Sequence, residues 1–113
     1  MKIESCSFGK IVIDGKTYQN DLIIFSDHLN ASWRRKESHK LCLADIFEII
    51  KEGPEVIVIG TGESGLMRVL TEVKENLKDK GIELVVAPTE QACKAYNDMS
   101  KSKKTIAALH ITC

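Results

Sequence analysis

Gly60-Thr61-Gly62-Glu63-Ser64-Gly65 follows the apolar stretch Val56–Ile59 with the spacing G-x-G-x-x-G. Glycines so placed permit a tight turn and let backbone N–H groups approach a pyrophosphate at a helix N-terminus. A dinucleotide site also needs an acid at the end of the next strand to hold the ribose. That stretch reads Val85-Val86-Ala87-Pro88-Thr89, and the first acid, Glu90, already falls inside the following helical pattern. The glycine run is therefore read as a strand-to-helix turn with Ser64 as N-cap, and no cofactor is expected. What remains is a crevice. Gly60, Thr61, Gly62 and Ser64 would lie beyond the carboxyl end of one parallel strand and Thr89 beyond the next. Two helix N-termini meeting there would favour a small anion or an acidic side chain of a partner.

A second group is Trp33-Arg34-Arg35-Lys36-Glu37-Ser38-His39-Lys40. Guanidinium groups bind carboxylate or phosphate through a planar fork, and tryptophan adds a stacking surface. On an extended segment Trp33 and Arg35 share one face and Arg34 takes the other, so the arginines are not expected to serve one ligand. Trp33, Arg34, Arg35, Lys36 and His39 form the candidate interaction surface, a composition suited to a binding hot spot.

The remaining reactive residues are scattered. His28 falls in turn composition. His39 is a residue type suited to acid–base work, yet no carboxylate at a fixed spacing marks it as part of a relay. His110, near Thr112 and Cys113, would make a small polar cluster; His110 and Cys113 alone are too few for zinc, and no metal is expected. Cys6, Cys42, Cys93 and Cys113 are widely spaced, without a C-x-x-C pair, and are read as structural or incidental, Cys113 being the terminal thiol.

The elements that position these residues follow from periodicity. Lys10–Ile13, Asp14-Gly15 and Lys16–Tyr18 read as a hairpin, because Asp-Gly suits the positive φ of a type I′ turn. Asp21–Ser26 is a further strand and 31–35 another extended segment. Leu43, Ile46, Phe47 and Ile50 define a helical face stopped by Gly53-Pro54. After the strand Val56–Ile59, residues Leu66, Val69, Leu70, Val73 and Leu77 make a second helical stripe. The strand Ile82–Ala87 leads to a third helix with Thr89 as N-cap and Ala92, Cys93, Tyr96 and Met99 facing inward. Lys101–Lys104 is a solvated link to the last strand, Thr105–His110. The predicted fold is a single layered α/β domain over 1–113. Its mixed sheet has a parallel β-α-β-α-β C-terminal half with right-handed crossovers, and the N-terminal antiparallel hairpin extends or caps it.

Charge excludes some functions. Lys+Arg and Asp+Glu are 16 each, for a net charge of +0. Binding nucleic acid through phosphate neutralisation needs a basic protein, so no nucleic-acid partner is expected. No apolar stretch reaches the roughly 18 residues of a membrane span, and the N-terminus has no secretory pattern; a cytoplasmic protein without membrane contact is expected.

Phe8-Gly9, Ile13-Asp14-Gly15-Lys16-Thr17-Tyr18, Trp33-Arg34-Arg35, Ile59-Gly60-Thr61-Gly62, Pro88-Thr89-x-x-Ala92 with Tyr96-Asn97, and His110-Ile111-Thr112-Cys113 occur in an order and spacing that resembles the adipogenesis-associated domain family. That small α/β family also includes a mitochondrial complex I assembly factor. The resemblance covers nearly the whole chain. It implies a layered mixed-sheet fold, no established enzymatic activity and no catalytic residues to carry over, with some relatives acting through protein partners. No complete catalytic constellation is found in the residues themselves. The preferred expectation is a non-enzymatic interaction or assembly module that binds a protein partner or itself. The alternative is a small enzyme or sensor of an anionic metabolite in the crevice at Gly60–Ser64 and Thr89.

Overall fold

Two successive positive-φ residues, Asp14 (φ 50°) and Gly15 (φ 81°), reverse the chain as a type I′ turn requires. In the computed structural model, which describes residues 1–37 and 39–112, this turn joins β2 (Lys10–Ile13) to β3 (Lys16–Tyr18). A further strand, β1 (Ile3–Ser7), pairs antiparallel with β2 across a bend at Gly9 (φ 72°). The hairpin thus belongs to its own three-stranded sheet, β1-β2-β3.

The larger sheet has five strands in the order β5-β4-β10-β7-β9. They are β4 (Leu22–Ile24), β5 (Leu29–Asn30), β7 (Val56–Thr61), β9 (Glu83–Ala87) and β10 (Thr105–His110). β7 pairs parallel with both β9 and β10, whereas β4 runs antiparallel to β10. The expected mixed α/β architecture, with its parallel C-terminal half and N-terminal antiparallel hairpin, is borne out. Every residue of β7 and β10 is buried, because both faces of the sheet are covered. One face carries Val56, Val58, Ala107 and Leu109 against Ile3, Ile11 and Ile13 of the small sheet and Ala92, Cys93 and Tyr96 of α3 (Thr89–Met99). The other carries Ile57, Ile59, Ile106 and Ala108 against Trp33, Ile46, Ile49, Met67, Val73 and Leu77. Full burial of each large aliphatic side chain in these clusters contributes about 1.5–3 kcal/mol.

Three local expectations are corrected. The stretch after Cys42 is a 3-10 turn (Leu43–Ile46) running into a short helix, α1 (Phe47–Lys51). Its tighter first turn shifts the inward face to Ile46 and Ile49 and leaves Phe47 63% exposed. No helix follows the glycine run. Residues 62–67 loop out, and Arg68–Val69 forms β8, which pairs parallel with β6 (Lys40–Leu41). Only then does α2 (Thr71–Asp79) begin, with Leu70 at its N-cap, so Ser64 is exposed loop and caps nothing. Segment 31–36 is irregular rather than a strand. Among the described residues no helix is long and apolar enough to cross a membrane.

Candidate functional site

The sheet register lines up three polar residues. Leu22 pairs with Leu109, so Asp21, one residue earlier, stands beside His110; His110 in turn pairs with Thr61. Alternation along the strands puts all three on the face that carries Ile23, Ala108 and Ile59. This end of the sheet is closed over by segment 33–36.

His110 is 5% exposed, and its Nδ1 lies 2.8 Å from Asp21 Oδ2. The same carboxylate oxygen meets Arg35 Nη1 at 2.9 Å, and Asp21 Oδ1 accepts the Ile111 backbone N–H at 2.9 Å. Burial pushes the Asp21 carboxyl upward. The hydrogen bonds from His110 and Ile111 and the His110 and Arg35 interactions more than offset this, holding it below the usual carboxylate range. An ionised acceptor requires the proton on Nδ1, so Arg35 Nη2, 3.1 Å from that nitrogen, sits close without donating to it. Nε2 of His110 is buried without a hydrogen-bond partner among the described residues. The His39 ring lies edge-on to it, with centroids 6.0 Å apart. An Asp–His pair can orient a general base, but among the described residues no nucleophile is bonded to Nε2.

Arg35 also lies over the Trp33 ring, 4.6 Å from its centroid. Trp33 is 6% exposed and is pinned at both ends: its backbone N–H donates to Asp21 O at 3.0 Å and its indole N–H to Asp45 O at 3.1 Å. Asp45 then takes the Lys36 N–H at 3.1 Å and the Cys42 N–H at 3.0 Å. Trp33 and Arg35 therefore point inward, on the shared side expected of them, while Arg34, Lys36 and His39 are exposed. Arg34, Lys36, Asp45 and Glu48 line a concave surface of about 500 Å³.

The glycine run is built into the fold differently from the expected crevice. Only α3 begins beside it, and Pro88, not Thr89, is the N-cap. The Thr89 hydroxyl accepts the Gly62 N–H at 2.8 Å and donates to the His110 carbonyl, while the Thr61 hydroxyl donates to Ala87 O at 3.1 Å. The Glu63 N–H donates to Thr112 O at 2.7 Å. A Cβ on Gly60 would come within 2.9 Å of both Leu109 Cδ2 and Thr89 Oγ1, so the glycine allows close packing against the start of α3. The hollow beside Thr89, lined by Phe8, Glu63, Glu90 and Ile111 among others, is about 30 Å³, room for about one water. The two candidate regions meet through His110: its side chain faces Arg35 and its carbonyl faces Thr89.

Sequence reasoning missed Asp21 and its link to His110. The available signal was a lone acid at the head of the apolar strand Leu22–Phe25, facing a histidine at the end of another. His110 pairs with Asp21, which also holds Arg35; the expected cluster with Thr112 and Cys113 falls partly outside the described residues, which omit Cys113 and Ser38.

A family model described as protein of unknown function (DUF498/DUF598) matches residues 3–111. A crystal structure of the conserved hypothetical protein PH1505 from Pyrococcus horikoshii OT3 is similar over 100% of both chains, with 30% identity and a TM-score of 0.85. A protein named MT938 is 26% identical, covering 99% of this chain and 98% of its own, with a TM-score of 0.83. NADH dehydrogenase [ubiquinone] 1 alpha subcomplex assembly factor 3 of Danio rerio is 38% identical over 63 residues, which span 56% of this chain and 36% of that relative's length. These matches agree with the family resemblance read from the motifs, including an assembly factor of complex I among the relatives.

Proposed function

The chain belongs to the family of proteins of unknown function DUF498/DUF598, and on that premise we propose that it is a non-enzymatic protein-interaction or assembly module. Its contact surface is the outward part of the 33–40 segment, formed by Arg34, Lys36 and His39 above the inward anchors Trp33 and Arg35. The observation that carries this reading is the anchor. Arg35, with a side chain 4% exposed, is tied to Asp21 within residues 33–36, which have no helix or strand of their own. A buried ion pair adds little net stability compared with an apolar replacement, but it fixes one conformation. A pre-organised loop loses less entropy on binding. Because the chain as a whole is neutral, two adjacent outward cations select a local acidic surface on a partner rather than a polyanion.

The relative that is an assembly factor by name supports action through protein contacts, although only a part of its length is matched. The alternative, an enzyme or sensor of an anionic metabolite at Gly60, Thr61, Gly62, Ser64 and Thr89, has weaker support. The Thr61 and Thr89 hydroxyls and the Gly62 and Glu63 N–H groups are spent within the chain. Glu63 and Glu90, exposed beside the hollow, repel an anion.

The test is quantitative capture of partners by the full chain, comparing the parent with Arg34→Glu/Lys36→Glu and with Lys74→Glu on α2. Loss of at least about tenfold of a captured protein in the double variant only, with unchanged Tm, is the expected result. Equal capture by all three proteins overturns the assignment of the surface.

A further inference from the structure

β1 and α3 are held in a fixed register by Asn97. Its side-chain carbonyl accepts the Ile3 N–H at 3.0 Å, and its amide donates to Ile3 O at 2.7 Å. Cys93 lies one helical turn earlier, on the same face of α3. Cys6 lies three residues beyond Ile3, which on a regular strand would turn it to the opposite side. The strand is not regular there. Ile3 pairs with Ile13 but Ser5 with Val12, so one extra residue of β1 is absorbed as a bulge. Ile3 and Cys6 consequently face the same way, towards α3. Cys6 packs against the cluster that contains Cys93, and both thiols line one concave surface of about 350 Å³ with Glu90, Lys94 and Asn97.

We propose that Cys6 and Cys93 form a reversible disulfide when the protein meets hydrogen peroxide, a redox-responsive staple between β1 and α3. The two thiols have unequal roles. Cys6 is half-buried and open to the hollow, whereas Cys93 is 4% exposed. The neighbouring Cys93 thiol lowers the Cys6 thiol, outweighing burial and the nearby Glu90 charge. The neighbouring Cys6 thiol, with burial, raises Cys93 for as long as Cys6 is unoxidised. The more accessible Cys6 is the attacking sulfur and the buried Cys93 the resolving one.

The Cys6 thiolate attacks one peroxide oxygen. An S–O bond forms, the O–O bond breaks, and the departing hydroxide leaves as water with the proton that Cys6 gave up. Cys6 is then a sulfenic acid. The Cys93 sulfur attacks the Cys6 sulfur, the S–S bond forms, the S–O bond breaks, and the hydroxyl leaves as a second water with the Cys93 proton. Two electrons pass from the thiols to the peroxide, and a dithiol reductant reverses the bond by exchange.

The experiment treats the purified full chain with stoichiometric hydrogen peroxide, alkylates the remaining thiols, and maps the peptides by mass spectrometry with and without reduction. The expected product is an intramolecular Cys6–Cys93 link that survives in Cys42→Ser, is lost in Cys6→Ser and Cys93→Ser, and disappears on reduction. Closing so long a loop should also raise the Tm by at least about 5 °C. Four alkylated thiols after peroxide, a link through Cys42 or Cys113 in place of Cys93, or only intermolecular dimers would overturn the proposal. Because the readout is made on the parent protein, it stands whether or not either serine variant folds.

Discussion

Asp21 and His110 are 89 residues apart in the chain, and their side chains meet at 2.8 Å where the antiparallel β4 and the parallel β10 run side by side. That contact exists only because a strand from the first quarter of the chain pairs with the last strand. It joins the two candidate regions. Arg35 reaches the pair from segment 33–36, and the His110 carbonyl takes the Thr89 hydroxyl on the other side of the sheet. A charged hub at this junction fixes the loop and the glycine turn against one strand end.

Replacing Asp21 by Asn removes the negative charge from beside Arg35 and His110 while keeping the volume. Breaking a buried pair from one side costs about 3–5 kcal/mol. Because the Asp21 side chain is 18% exposed, the lower end, about 3 kcal/mol, is expected. Chemical denaturation of parent and variant at pH 7 measures it, and a difference under about 1 kcal/mol would mean that the hub does not order segment 33–36.

The same carboxylate sets a pH dependence. Its folded-state pKa is depressed, so the folded state binds the proton less readily than the unfolded one. Its contribution is therefore fully present above the unfolded value, about 3.9, and is lost as pH falls through the lower folded value. The stability gap between the parent and Asp21→Asn should shrink as pH falls below about pH 4. Asp27, lowered by its His28 hydrogen bond, is fully exposed and common to both proteins, so it cancels in the difference. A gap that stays constant down to pH 2 would contradict the assignment.

Gly60→Ala separates a packing role for the glycine run from a ligand role. Leu109 Cδ2 and Thr89 Oγ1 would each lie 2.9 Å from the new methyl, with the Thr89 Cα at 3.3 Å. Thr89 cannot swing away without releasing the Gly62 N–H and the His110 carbonyl. Overpacking of this kind costs about 1–3 kcal/mol, seen as a lower Tm in protein without any ligand. An unchanged Tm would show that α3 yields and would return the first glycine to functional candidates.

Ser64→Ala tests the part of the turn that periodicity misread. An N-cap serine is worth about 1 kcal/mol. Here Leu70 occupies the cap position of α2 and Ser64 is exposed loop, so a change within about 0.5 kcal/mol is expected. The error has a physical source. Leu66, Val69, Leu70, Val73 and Leu77 match a helical stripe, but Leu66 is 52% exposed and Val69 pairs with Leu41 in the small parallel ribbon. Spacing cannot register a two-residue strand whose partner, β6, lies far back in the chain. Where the signal was local, as in Asp14-Gly15 or the apolar runs of β7 and β10, the reading held. That Trp33 and Arg35 share a side was expected from alternation; that this side faces inward was not, since both were placed on the interaction surface. Nor was Asp21, the partner that holds Arg35, because strand order rather than spacing brings them together.

Asn97→Ala removes the clamp between α3 and β1 without touching either sulfur. The Ile3 N–H and carbonyl each lose a partner at a half-buried position, which costs about 1–3 kcal/mol in all. The larger consequence concerns the thiols. With the register free to slide by one residue, the bulge no longer has to turn Cys6 and Ile3 to the same side, and Cys6 spends less time opposite Cys93. Peroxide-driven formation of the Cys6–Cys93 link should therefore slow by about the factor by which the aligned state is depopulated, on the order of tenfold for 1.4 kcal/mol. Sulfenic acid trapped on Cys6 with a dimedone-type reagent should rise correspondingly. Parent-like closure in a variant with lowered stability would show that the bulge and the packing of Ile3, not Asn97, hold the two cysteines in line.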